Sequence, residues 1–236
     1  MKNKIYIITS SDEWLTTILI NKFKKNNTIT LIKVKNNKID YLKLLKFLIL
    51  FGVIDMIKIL ITQKIKKKYN IITIKKCELN EFIKNKKKIK FFLVNYTDKI
   101  EYNYKNIYNC HPSLLPNYKG LMPIPRYLWD FMINNKKNEI GLTIHKINQK
   151  FDSGKIMWNK IIKIKKNISL KDLYEKIYSN FYYGIVDILS SNSFKLNHTQ
   201  VDKVLKNNLS LLEIFFLKIN LLKKNIYLII SKKFVG

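Results

Sequence analysis

The sequence predicts an α/β fold: a mostly parallel sheet with helices on both faces and a short helical C-terminal extension. Its β-α-β opening predicts this, as does the alternation of short β-branched runs with helically spaced segments up to residue 110. Residues 5–9 (IYIIT) form the first strand. Ser10-Ser11-Asp12-Glu13 follows as a helix start, with hydroxyls to cap the free amides and acids against the positive end. The helix is expected to run to about residue 25, with a second strand over 28–34.

Residues 40–68 are apolar almost all round, interrupted by Lys43, Lys46, Asp55 and Lys58. The pattern predicts one or two well-buried helices broken near Gly52, the alternative being a helix at a membrane surface or in a partner's groove. The longest uncharged run there, 47–54, is far below the roughly 20 residues that cross a bilayer, so no stable membrane span is expected. Strand 70–74, helix 78–85 and strands 89–95 and 106–110 come next. Residues 141–147 and 155–164 alternate like a strand pair, and 169–189 have helical spacing with Ser169 as N-cap. The tail is Lys-rich with helically spaced apolar residues. It packs on the domain or on a partner, a homodimer contact being one alternative.

The 236 residues, 47% hydrophobic and 26% charged, describe a globular chain: one domain over 1–200 and an extension over 201–236. Such a chain buries a core without disulfides or a structural metal. Cys77 and Cys110 lack metal-type spacing, so neither a disulfide scaffold nor a metal site is expected. The start, MKNKIYIITSSDEW, has a strand-like run where a signal peptide would place a longer apolar stretch, and a cytoplasmic location is expected. The net charge is +29, yet Arg126 is the only arginine among 45 basic residues. Lys, Asn, Ile, Tyr and Phe share codons rich in A and T, so base composition accounts for part of the charge. A nucleic-acid groove usually recruits Arg. The charge still favours anionic substrates and polyanions.

Rigid and chemically special residues are concentrated in one stretch. All four prolines (Pro112, Pro116, Pro123 and Pro125) lie there, with His111, His145, Gly120, Gly141, Gly154 and Arg126. Prolines hold a loop rigid without secondary structure, and rigid loops at strand ends are where α/β proteins place their chemistry. Asn109 and His111, at i and i+2 as a strand ends, face the same way. An amide can donate to an oxyanion, and an imidazole can add a donor or exchange a proton. Asp152, in the turn-type Phe151-Asp152-Ser153-Gly154, would raise the pKa of His111 and hold it charged if the two met.

The order Asn109-Cys110-His111-Pro112-Ser113-Leu114-Leu115-Pro116, then Gly120, then Gly141-Leu142-Thr143-Ile144-His145, then Asp152-Ser153-Gly154 resembles the folate-dependent formyltransferase family. The family's pattern is Asn-x-His-x-Ser-Leu-Leu-Pro, Gly-x-Thr-x-His and Asp-x-Gly, and the resemblance covers about residues 91–165. It implies a Rossmann-like formyltransferase domain over 1–200 with a helical insertion at about 40–68, and transfer of a formyl group from 10-formyltetrahydrofolate to a primary amine. Asn109 would donate to the oxygen of the tetrahedral intermediate, His111 would stabilise that oxyanion as an imidazolium, and Asp152 would raise the pKa of His111 and relay a proton from the amine. His145 matches the family's second histidine in a supporting role, and Ser113 would shape the turn presenting His111. Main-chain groups of Tyr96, Thr97, Asp98, Lys99 and Ile100, with Asn109 nearby, would hold the folate pterin.

Three acceptors compete. The glycinamide ribonucleotide enzymes of the family carry a Gly-Ser-Asn phosphate clamp where this chain has Thr9-Ser10-Ser11-Asp12, although Ser10 and Ser11 at a helix start remain able to hold a phosphate. Methionyl-tRNA formyltransferases share Pro123-Ile124 and the aromatic-rich helix after it, but normally add a C-terminal barrel for which 200–236 are too few. Nucleotide-sugar N-formyltransferases act on diphosphate-bearing amines that a basic surface attracts. The favoured acceptor is therefore a phosphate-bearing small amine, the amino group of a nucleotide-linked amino sugar. The tRNA substrate, glycinamide ribonucleotide and a non-catalytic basic binding protein on the same scaffold stay open. Tyr118, with Tyr127 and Trp129, would line the acceptor side, or else pack in the core.

Overall fold

The chain's computed structural model describes residues 4–10, 13–23, 28–35, 41–62, 70–86, 89–100, 106–133, 138–165, 168–190 and 210–234. Seven strands and six helices follow in order: β1 (Lys4–Ser10), α1 (Glu13–Ile20), β2 (Thr28–Lys35), α2 (Tyr41–Thr62), β3 (Asn70–Lys75), α3 (Lys76–Lys84), β4 (Phe91–Val94), β5 (Ile107–His111), α4 (Pro123–Ile133), β6 (Glu139–Lys146), β7 (Ile156–Lys163), α5 (Leu170–Ser190) and α6 (Leu211–Phe234). The strands form one sheet in the order β3-β2-β1-β4-β5-β6-β7. Strands β3 to β5 pair in parallel, and β6 and β7 are added antiparallel. The expected α/β sheet is thus observed.

Alternation along the strands divides the core in two. Ile5, Ile7, Leu31, Phe92, Tyr108 and Cys110 face a large cluster with α1, α2, α4, α5 and α6. Tyr6, Ile8, Ile32, Phe91, Leu93 and Ile107 face a smaller one closed by Leu79 and Ile83 of α3. Period-two pleating puts Asn109 and His111 on the same side as Ile107, at the end of this thinner layer.

Local chemistry sets the helix ends. Helix α1 stops at Ile20, earlier than the spacing predicts, because tight bonds from Lys22 N–H to Leu19 C=O and from Phe23 N–H to Ile20 C=O turn Phe23 into the core. The Ser169 hydroxyl accepts the Asp172 N–H at 3.0 Å at the start of α5, as expected of an N-cap. Ser210 and Glu213 form a capping box on α6.

Helix α2 breaks at Gly52, whose φ of 77° is left-handed. The Lys218 ammonium of α6 donates to the Leu50 carbonyl beside the break at 2.9 Å. The expectation that 40–68 is well buried needs correction. Leu50, Phe51 and Ile59 are buried, but Tyr41, Leu42, Leu45, Leu48, Val53, Ile54 and Ile57 are exposed. The helix packs one side on α6 and the core and leaves its other apolar side open. Residues 63–68 lie outside the described residues, as do 200–209 and 235–236 of the tail. Among the described residues, no helix is long and apolar enough to cross a membrane.

Candidate active site

The end of β5 gathers the polar residues that the motifs single out. Register places Asn109 opposite His145 and His111 opposite Thr143 on β6. An irregularity against β7 between Ile144 and His145 re-aims the second histidine. The turn after β6 then brings Asp152 back over the strand pair. Asp152 itself has a left-handed φ of 50°, and Gly154 passes so close to the Lys146 carbonyl that any β-carbon there would collide with backbone. A non-glycine residue at 154 would push the aspartate away.

The three residues converge. The Asn109 amide donates to Asp152 Oδ1 at 3.2 Å, and His111 Nδ1 lies 3.5 Å from the same oxygen. His145 Nε2 lies 3.4 Å from that oxygen and 3.2 Å from the Asn109 amide nitrogen. The other carboxylate oxygen, Oδ2, accepts the Gly120 N–H at 2.7 Å. His111, His145 and Asp152 are all buried.

The ring partners assign the protons. A carbonyl only accepts, so His111 Nε2, 3.0 Å from the Tyr118 carbonyl, carries a hydrogen, and Nδ1 of the neutral ring holds the lone pair facing Asp152. In the same way His145 Nδ1 donates to the Lys146 carbonyl at 2.8 Å.

Electrostatics correct one expectation. Burial pushes the His111 pKa below its ordinary value; Asp152 and the Tyr118 carbonyl oppose this without overcoming it, and His145 adds to the lowering. Asp152 therefore does not hold His111 charged at rest. Burial alone would raise the Asp152 carboxyl, but the hydrogen bond with His145, the nearby His111, the Gly120 amide and the charge of His145 outweigh it and bring it down to about 2. The Gly120 N–H adds to the hold that the two histidines have on the ionised carboxylate.

Ser113 sits in the turn after β5, where its hydroxyl donates to the Asn117 carbonyl at 2.8 Å. Thr143 ties this turn to β6: its hydroxyl donates to the Ser113 carbonyl at 2.7 Å and accepts the Leu115 N–H at 3.0 Å. An open cleft runs from Asn109, His145 and Asp152 to Tyr96, Asp98, Lys99 and Ile100, with Leu93, Ile147 and Phe151 among its apolar walls. Thr97 is exposed beside it, and Asp98 pairs with Lys76 at 2.9 Å.

Other expected site residues fall differently. Ser10 ends β1 with its hydroxyl donated to the Asn95 carbonyl, which occupies it for another acceptor. Ser11 lies outside the described residues. The Tyr118 ring is outside the lining of this cleft: it is buried and its hydroxyl donates to Asp130 Oδ2 at 2.8 Å. Tyr127 is a core residue stacked on Phe131, and Trp129 packs half-buried against the same cluster. Tyr118 and Tyr127 also line a second open pocket with Ser113, Asn117 and Glu139. Sequence reading missed the Gly120 amide and the Tyr118 carbonyl, since main-chain groups carry no side-chain signature; glycine at a left-handed position was the available signal. Among the described residues, no group of three or more His, Cys, Asp and Glu side chains is arranged to hold a metal ion.

Fold and site together define a Rossmann-like α/β protein with an amide, two imidazoles and a carboxylate at a central strand end. Residues 96–189 match the formyl transferase family model. A methionyl-tRNA formyltransferase of Thermosipho melanesiensis is 30% identical over 136 residues, 55% of this chain and 43% of the relative, so the match spans less than half of that relative's length. The glycinamide ribonucleotide transformylase 1 of Geobacillus kaustophilus superposes with a TM-score of 0.53 at 14% identity, covering 81% of this chain and 100% of that one. WlaRD, a sugar 3N-formyl transferase solved with dTDP and 5-N-formyl-THF, superposes with a TM-score of 0.50 at 20% identity, covering 94% of this chain and 79% of that one. Residues 96–189 are thus similar to the formyl transferase family, and the chain shares the fold of its solved members.

Proposed function

We propose that the protein transfers a formyl group from 10-formyltetrahydrofolate to a primary amine in the cleft beside Asn109 and Asp152. The observation that carries this reading is the convergence of Asn109, His111 and Asp152 next to a cleft walled by Tyr96, Asp98, Lys99 and Ile100. Apolar Leu93, Ile100, Ile147 and Phe151 with polar edges suit a flat heteroaromatic ring. The donor supplies an activated one-carbon unit. Attack of the amine nitrogen forms a C–N bond and pushes charge onto the formyl oxygen; expulsion of the donor nitrogen, which takes a proton, completes the exchange.

The chain's residues supply the rest. Asn109 lines the cleft, and its amide, directed at rest to Asp152 Oδ1 and His145 Nε2, donates to the developing oxyanion by exchanging one of those contacts. Asp152, ionised, accepts the proton of the attacking amine through water. His111 stands behind it, and Nδ1 takes up or returns that proton, the imidazolium so formed adding positive charge behind the oxyanion. His145 holds Asn109 and Asp152 in place, and Ser113 sets the turn that carries His111.

The proposed acceptor is a phosphate-bearing small amine, a nucleotide-linked amino sugar, which the +29 charge attracts. The likeness to methionyl-tRNA formyltransferases favours a second reading, in which the amine is carried by tRNA. In both readings 1–200 are the catalytic domain and 201–236 an extension. Release of tetrahydrofolate, followed by absorbance with nucleotide-linked amino sugars, methionyl-tRNA and glycinamide ribonucleotide, tests them. One acceptor class is expected to give turnover, and His111→Ala to lower it on the order of 10²–10³-fold. Absence of turnover with every amine, or a His111→Ala protein as active as the parent, rejects the reading.

A further inference from the structure

Tyr118 does not reach the cleft, yet it touches the proposed chemistry at two removes. We infer that the buried Tyr118–Asp130 hydrogen bond is a positioning device: it pins the loop 118–120, whose main chain fixes the tautomer of His111 and the orientation of Asp152. The inference rests on the reaction proposed above.

Tyr118 has a φ of 53°, a left-handed conformation that is costly for a bulky residue, and Gly120 follows at 89°. Such a turn persists only where its surroundings hold it. The hold is a hydroxyl-to-carboxylate bond of 2.8 Å, with both partners buried, to a residue on rigid α4. Hydrogen bonds to ionised acceptors are the strong ones. Burial, then the bond to Asp130, raise the Tyr118 pKa, so the hydroxyl keeps its hydrogen.

From this anchored residue two main-chain contacts reach the site. The Tyr118 carbonyl takes the Nε2 hydrogen of His111 at 3.0 Å. Two residues on, the Gly120 N–H holds Asp152 Oδ2 at 2.7 Å. The first contact matters chemically because a neutral imidazole has one hydrogen. Committing it to Nε2 leaves a lone pair on Nδ1, 3.5 Å from Asp152 Oδ1. In the other tautomer Nδ1 already carries a hydrogen and cannot receive the proton that Asp152 relays.

Nitrogen-15 NMR of the ligand-free protein reads the tautomer directly, and the three histidines are assigned by substitution. The parent is expected to show His111 as the Nε2–H form. Tyr118→Phe keeps the ring and removes the anchor. It is expected to give mixed tautomers, a kcat lower on the order of tenfold with a shifted pH profile, and a KM within about twofold of the parent. Asp130→Asn retains an acceptor for the hydroxyl and should restore the parental tautomer, whereas Asp130→Leu should behave like Tyr118→Phe. An Nδ1–H form in the parent, or a single Nε2–H form and parental kcat in both Tyr118→Phe and Asp130→Leu, would overturn the inference. Because the tautomer is read without substrate, a shifted tautomer in a protein that formylates no amine would sink the proposed reaction and leave the positioning role standing.

Discussion

Protonation of two buried side chains governs how the site responds to pH. Asp152 titrates in the folded chain at about 2 against an ordinary 3.8. The unfolded chain therefore binds more protons in this window, and stability rises with pH through it. The contribution, about 2 kcal/mol, is complete above the ordinary value and disappears as pH falls through the folded one. His111 acts with the same sign. Its folded pKa lies below 6.5, so burial of the neutral ring stabilises the protein above that value and progressively less as the solution acidifies. Chemical denaturation of parent and Asp152→Asn between pH 6 and 2 checks the carboxylate's share: the variant should be less stable at the upper end and show a flatter slope below pH 4. Equal slopes would mean that the carboxylate is not held by its donors.

Elements contribute by where they break and what they tie. Gly52 interrupts α2 at a left-handed φ while leaving room for a β-carbon 3.5 Å from the Lys218 ammonium. Gly52→Ala therefore meets strain instead of a clash. It should lower stability by about 1–3 kcal/mol and leave the proposed formyl transfer unchanged, as thermal unfolding beside the tetrahydrofolate assay would show. The break itself was legible, since one glycine inside a long apolar helix is a conspicuous signal. The helix's exposure was not, because apolar residues on all sides do not say which side the rest of the chain covers. The strand that carries the candidate site was legible for a different reason. Asn109, His111 and Asp152 stand out as polar residues at fixed offsets, and glycine is forced at 154 by the Lys146 carbonyl. The rings of Tyr118 and Tyr127 were left open between lining a cleft and filling the core, because an aromatic near a motif looks the same in sequence either way. The direction of the His111 shift was hidden too: burial opposes Asp152, and burial cannot be read from a motif.

At the scale of the whole molecule, charge is the dominant global property. A net +29 on 236 residues repels itself in the compact state. Raising ionic strength from about 0.01 M to about 0.15 M shortens the screening length from about 30 Å to about 8 Å. The melting temperature should rise over that range and then level off. A melting temperature that falls with salt would show that attractive pairs outweigh the repulsion. Arg126 stands apart from this diffuse charge: it is buried near Tyr118, and its Nε and Nη1 have no hydrogen-bond partner among the described residues.

The bond from Lys218 to Leu50 joins residues 168 positions apart. On a ribosome, the carbonyl beside the Gly52 break emerges long before the side chain that caps it. Until the last helix is made, the nascent polypeptide must carry α2 with neither its cap nor its neighbour. A chaperone that shields sticky segments would find its longest-lived target there, well before the sheet has received its final strands.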